Sequence, residues 1–84
     1  MNKIVFEITE STSEHENSPC TVYGIQAVTF HAGNRIKLDE VPNVSVNLNF
    51  VEKLVEKFNQ FDLHIEHFRD VLYDCICEEY SVTM

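Results

Sequence analysis

The spacing of the apolar residues changes once along this chain, and that change decides its fold class. Near the N-terminus Ile4, Phe6 and Ile8 alternate with Val5, Glu7 and Thr9, the period-two pattern of a strand with one covered face. From residue 50 onward Phe50, Val51, Leu54, Val55 and Phe58 recur at steps of three and four, which is the stripe of a helix. Strands followed by helices, without alternation between them, predict an α+β fold. We read a small three-stranded antiparallel sheet followed by a two-helix hairpin packed on one face. The 84 residues make a single small domain (1–84), with a β-rich part over 3–46 and a helical hairpin over 49–80.

The expected strands cover 3–9, 20–30 and 35–40. Residues 10–19 are polar throughout and read as a flexible loop. In the second strand the apolar phase slips, with Tyr23, Ile25 and Ala27 on one face and Val28 and Phe30 on the other. This predicts either a bulge or a strand covered on both faces. Gly24 is the natural point for a bulge or a close backbone approach. Residues 31–34 read as a hairpin turn. Ile36 and Leu38 share a face of the third strand, Pro42 ends it, and Val44 and Val46 return towards the core.

Asn49, three residues before Glu52, has capping-box spacing for the first helix. Asp62 is placed to cap a second helix running from Leu63 to about Tyr80, with Ile65, Phe68, Val71, Leu72, Cys75 and Ile76 as its apolar stripe. There are six Phe and no Trp, so Phe must anchor the core. Phe50, Phe58, Phe61 and Phe68 are all expected there.

Charge narrows the function. Six Lys and Arg face fourteen Asp and Glu, a net of −8. That excludes holding nucleic acid through a basic surface, and it argues against docking on anionic lipid. The imbalance concentrates in the second helix, where Asp62, Glu66, Asp70, Asp74 and Glu78 fall at unbroken spacings of four with only Arg69 nearby. Each step of four advances a helical side chain by a full turn plus about 40°. The five carboxylates would therefore form one slowly winding ridge on the solvent side. Like charges so placed repel by a few tenths of a kcal/mol per pair.

Other chemistry is sparse. His64 and His67 are neighbours on the second helix and could hold an ion with Glu66, or with His15, His31 or Cys20. No second chelating pair accompanies them, so no metal or cofactor is expected. Cys20, Cys75 and Cys77 are too few for a disulfide scaffold and read as reduced thiols. No base stands beside Cys20, Cys75 falls on the apolar stripe, and Gly24 and Gly33 are the only glycines, so no phosphate-binding loop is present. The chain is expected not to be an enzyme.

Tyr23-Gly24-Ile25, Val51-Glu52-Lys53-Leu54-Val55 and His67-Phe68-Arg69-Asp70-Val71-Leu72 together carry a resemblance. The chain resembles a family of short uncharacterised proteins from Gram-positive anaerobic bacteria that share YGI and HLRDV-like segments. The likeness runs from residue 3 to about 77, with Phe68 standing where that family has Leu. It implies a small cytoplasmic α+β domain. With His67, Arg69 and Asp70 as family features, it also makes the start of the second helix a site.

The function expected from these residues is that of an acidic, non-enzymatic, cytoplasmic interaction or regulatory protein. It would bind a protein partner with a basic surface through Asp62, Glu66, Asp70, Asp74 and Glu78, with Tyr73 as anchor. In its sharpest form the partner is a nucleic-acid-binding protein and the chain is a nucleic-acid-mimicking inhibitor of the anti-CRISPR type. The alternatives are a metal- or ligand-binding module using His64 and His67, and a homo-oligomer pairing through a sheet edge such as residues 3–9.

Overall fold

The computed structural model of the chain describes residues 3–15 and 18–80. Three strands come first: β1 (Ile4–His15), β2 (Ser18–His31) and β3 (Asn34–Ser45). Two helices follow, α1 (Leu48–Gln60) and α2 (Phe68–Tyr80), with a 3-10 turn over Ile65–His67 leading into α2. The sheet is antiparallel in the order β1-β2-β3. The helices cover one face of it, as the change of apolar period predicts. Among the described residues no helix is long and apolar enough to cross a membrane.

The strands are longer than the sequence suggests. β1 and β2 stay in unbroken register from Ile4↔Thr29 to His15↔Ser18, so residues 10–15 and 18–19 form a ladder rather than the expected loop. Thr9, Thr12 and Thr21 suit a strand, and the register set by the apolar part simply continues outward. The missing alternation has a physical cause: β3 begins to flank β2 only at Tyr23↔Ser45. Glu10, Ser11, Thr12, Cys20 and Thr21 are exposed and have no core side to mark. Pro19 is tolerated because this stretch of β2 lacks a second neighbour. At the other hairpin Ala32 (φ 52°) and Gly33 (φ 82°) both adopt positive φ. That is the conformation a two-residue turn between twisted strands requires.

β3 is where the sheet departs from regularity. Between the rungs Ile25↔Val41 and Tyr23↔Ser45, β2 advances two residues and β3 four; between Ala27↔Asp39 and Val28↔Lys37, β2 advances one and β3 two. Leu38 is the extra residue of the second bulge, so it leaves the alternation it was expected to share with Ile36, and both are exposed. β3 also runs through Pro42 instead of ending there, since an edge strand can lose a donor on its open side. β2 itself does not slip against β1. Its two apolar phases lie on opposite faces, with Ile25 and Ala27 under the helices and Val28 buried on the far face opposite Val5.

Gly24 explains the first bulge. A Cβ at this position would lie 2.4 Å from the Val41 carbonyl oxygen and 2.5 Å from that of Pro42. The looped-out part of β3 thus passes directly over the glycine backbone, the close approach anticipated from the sequence.

Three phenylalanines from three different elements close the core. Phe6 of β1 meets Phe58 of α1 at 5.6 Å between ring centroids and Phe68 of α2 at 5.3 Å, and Phe58 meets Phe68 at 6.2 Å. All three are essentially fully buried, together with Ile25, Val51 and Leu72. Phe61 does not join them: it follows the last turn of α1 and is 69% exposed.

Replacing Gly24 by alanine is expected to destabilise the fold by about 3 kcal/mol, because the added methyl meets backbone rather than a movable side chain. Urea unfolding monitored by circular dichroism measures this.

Candidate functional site

The ends of the helices decide what becomes of the acidic ridge. α1 is capped by Asn47, whose side chain accepts from the Phe50 N–H at 3.3 Å, and not by Asn49, which lies inside the helix. At its other end the Leu63 N–H donates to the Phe58 carbonyl at 3.1 Å and the Asp62 N–H to that of Asn59 at 3.4 Å. Asp62 has φ 50°. These two bonds around a left-handed residue form a Schellman C-cap. Asp62 therefore terminates α1 and does not cap α2. The chain then extends through His64 (ψ 142°) before the 3-10 turn.

The unbroken ridge is thereby divided. Asp62 sits in the C-cap and Glu66 in the 3-10 turn, while Asp70, Asp74 and Glu78 remain on α2. All five are exposed. None takes part in the ion pairs found among the described residues, which join Arg35 to Glu7, Lys37 to Glu40 and Arg69 to Asp39.

Arg69, the single cation within the ridge segment, is committed elsewhere. Its Nε donates to Asp39 Oδ2 at 2.8 Å and its Nη2 to Asp39 Oδ1 at 2.7 Å, a bidentate pair. Nη2 also reaches the Glu40 carbonyl at 3.3 Å, so the side chain ties α2 to β3. The Arg69 guanidinium, together with the Glu40 backbone N–H, holds the Asp39 carboxyl below the ordinary value of 3.8, against a smaller opposing effect of burial. Tyr73 stands one turn further along, 46% exposed, with its hydroxyl accepting from Arg69 Nη1 at 3.5 Å.

Glu78 faces a different neighbourhood from Asp70. It lines, with Glu79 and Cys75 of α2 and with Phe50, Lys53, Leu54 and Lys57 of α1, a shallow groove of about 360 Å³. Burial pushes the Cys75 thiol up from 9.0, and Glu78 and Asp74 add to this against the opposing charge of Lys57. A thiol so shifted stays protonated at neutral pH and is a poor nucleophile. All three cysteines are free thiols.

The His64 and His67 rings lie edge to face with centroids 6.4 Å apart, and both are exposed. Among the described residues no three His, Cys, Asp or Glu side chains come together as a metal-ligand group. The His15 side chain, and that of Tyr80, lie outside the described positions.

A family model described as a family of unknown function, DUF6514, matches residues 2–78. The chain belongs to this family. No curated protein and no solved structure matches it.

Two features of this DUF6514 chain were not anticipated from sequence. The Asp39–Arg69 pair had one signal, an isolated arginine among acids. The other is Asn59 of α1, whose side chain bonds to the backbone of Phe6; nothing in a polar residue on the border of an amphipathic helix marks it.

Asp62→Gly is expected to raise stability by about 0.5–1 kcal/mol, since glycine takes the left-handed position without steric cost; thermal unfolding measures it. The Asp39 contribution follows the sign of its shift. A carboxyl depressed in the folded state stabilises fully above its ordinary value and loses that contribution as pH falls through the folded one. The gap in urea midpoint between the wild-type chain and Asp39→Asn should therefore be widest above pH 3.8 and shrink below it.

Proposed function

We propose that this chain is a non-enzymatic docking protein that binds a basic surface of a protein partner through the outward face of α2. Asp70 and Asp74 supply the charge at the centre of that face, Glu78 extends it towards the groove, and Tyr73 gives a half-exposed aromatic anchor beside it. The observation that carries this reading is the commitment of Arg69. The one cation of α2 itself forks onto Asp39 instead, so Asp70 and Asp74 have no ion-pair partner among the described residues. Opposite charges three or four apart favour a helix; α1 has such a pair in Lys53 and Glu56, whereas Asp70, Asp74 and Glu78 have no basic residue at those spacings within α2. An acidic face of this kind would give fast, salt-sensitive association.

The narrower form of the proposal is a nucleic-acid-mimicking inhibitor of the anti-CRISPR type. Carboxylates one turn apart are spaced by about 6 Å along a helix axis and present a regular row of negative charge, as a nucleic-acid backbone does. With Asp62 and Glu66 outside α2, three residues carry this mimicry rather than five. The general docking reading needs only the face itself. Three free thiols support a reducing, cytoplasmic setting.

The test is a charge reversal, Asp70→Lys with Asp74→Lys. The wild-type and variant chains are immobilised, exposed to native cell extract at low salt, and eluted in rising salt, with circular dichroism confirming the fold of both. Basic proteins held by the wild type, released by salt and lost by the variant are expected. Equal capture by both chains would show that the face does not dock.

A further inference from the structure

β1 is an edge strand, and the place where it is most apolar is also the place where its edge is occupied. The Phe6 N–H donates to Asn59 Oδ1 at 2.8 Å, and Asn59 Nδ2 donates back to the Phe6 carbonyl at 2.9 Å. Both backbone groups of Phe6 therefore point away from β2. Because β1 keeps regular register with β2, the same holds for Ile4, Ile8 and Glu10, two residues apart along the strand. Ile4, Phe6 and Ile8 are also the residues that β1 turns towards the core. An unprotected strand of this composition is a template for pairing with another chain.

We infer that Asn59 closes the β1 edge against a second copy of this chain. A primary amide carries one acceptor and donors in the planar geometry of a peptide group. Here it occupies the place that a peptide unit of an incoming strand would take opposite Phe6. An antiparallel pairing of two β1 strands across Ile4–Ile8 would need that rung, and the intact molecule does not offer it. This edge lies within residues 3–9, the segment that the sequence alone suggests for self-association. The opposite edge is protected by other means. β3 carries two bulges and Pro42, and Arg69 donates to the carbonyl of Glu40. Further out, the exposed β1 residues are polar and include Glu10. Guarding thus falls where an apolar pairing would otherwise form.

The experiment compares the wild-type chain with Asn59→Ala by sedimentation velocity across a dilution series, with circular dichroism as the check on folding. The variant leaves the Phe6 rung open and is expected to self-associate at least about tenfold more tightly than the wild type. Hydrogen exchange should then show the Phe6 and Ile8 amides protected in a concentration-dependent way, which a merely loosened helix would not produce. A folded Asn59→Ala that stays monomeric wherever the wild type does would overturn the inference. So would a wild-type chain that already pairs through these amides. If Asn59→Ala does not fold, Asn59→Ser carries the same test, because its hydroxyl is too short to span both Phe6 groups; association supports the inference and a monomer refutes it.

Discussion

The contact among Phe6, Phe58 and Phe68 holds the molecule together as one unit. Each ring comes from a different element, so the trio joins the sheet to both helices at a single point. Small domains bury too little surface to afford a second core, and the shortest dimension of the molecule is 18 Å, the depth of one sheet and one helical layer. The far face of the sheet is covered by Val5, Val28 and surface side chains instead of a further layer. With Trp absent, edge-to-face ring contacts supply the large, directional packing that fixes the helices over the strands.

Around that core, two polar clamps set the lateral position of the helices. Asn59 fastens α1 to β1 through the Phe6 backbone, and Arg69 fastens α2 to β3 through Asp39. The clamps differ in cost. The amide offers neutral groups to backbone partners, whereas the guanidinium is the only basic group of its helix and is withdrawn from the carboxylates around it. The acidic character of the outer face of α2 is in this sense a by-product of how α2 is held. Structure and the proposed docking surface meet in one side chain.

How much of this could be read in advance follows from where the core leaves a mark on the sequence. The period change, the stripe Val51, Leu54 and Phe58, the turn over 31–34 with its Gly33 and the close approach at Gly24 are legible because burial or a steric limit dictates the residue type. The outer half of the β1–β2 hairpin is not, because a strand with neither face covered has no alternation to show. The start of α2 is hidden for the opposite reason: Asp62 and the four-residue spacing of the acids imitate helical continuity, while the chain reverses through a left-handed aspartate. Phe61 has the residue type of a core anchor, but it follows the last turn of α1 and stays exposed. Of the candidate site, Asp70, Asp74 and Glu78 are exposed helix positions, as their spacing predicts, while Tyr73, at the edge of the apolar stripe where packing against the sheet is expected, is exposed as well. The role of Arg69 depends on a partner thirty residues away in β3, and local patterns carry no record of such pairs.

The two-stranded outer hairpin has an implication for how the family can vary. Its register is set from the core end, where Phe6, Ile8 and Ile25 are fixed by packing, and beyond Tyr23 the described part of β2 pairs with β1 alone. Adding or removing one residue on each arm would lengthen or shorten it by a single rung and leave every buried side chain in place. Insertions and deletions among relatives should therefore collect at this end of the molecule, while the length between Gly24 and Phe68 stays constant.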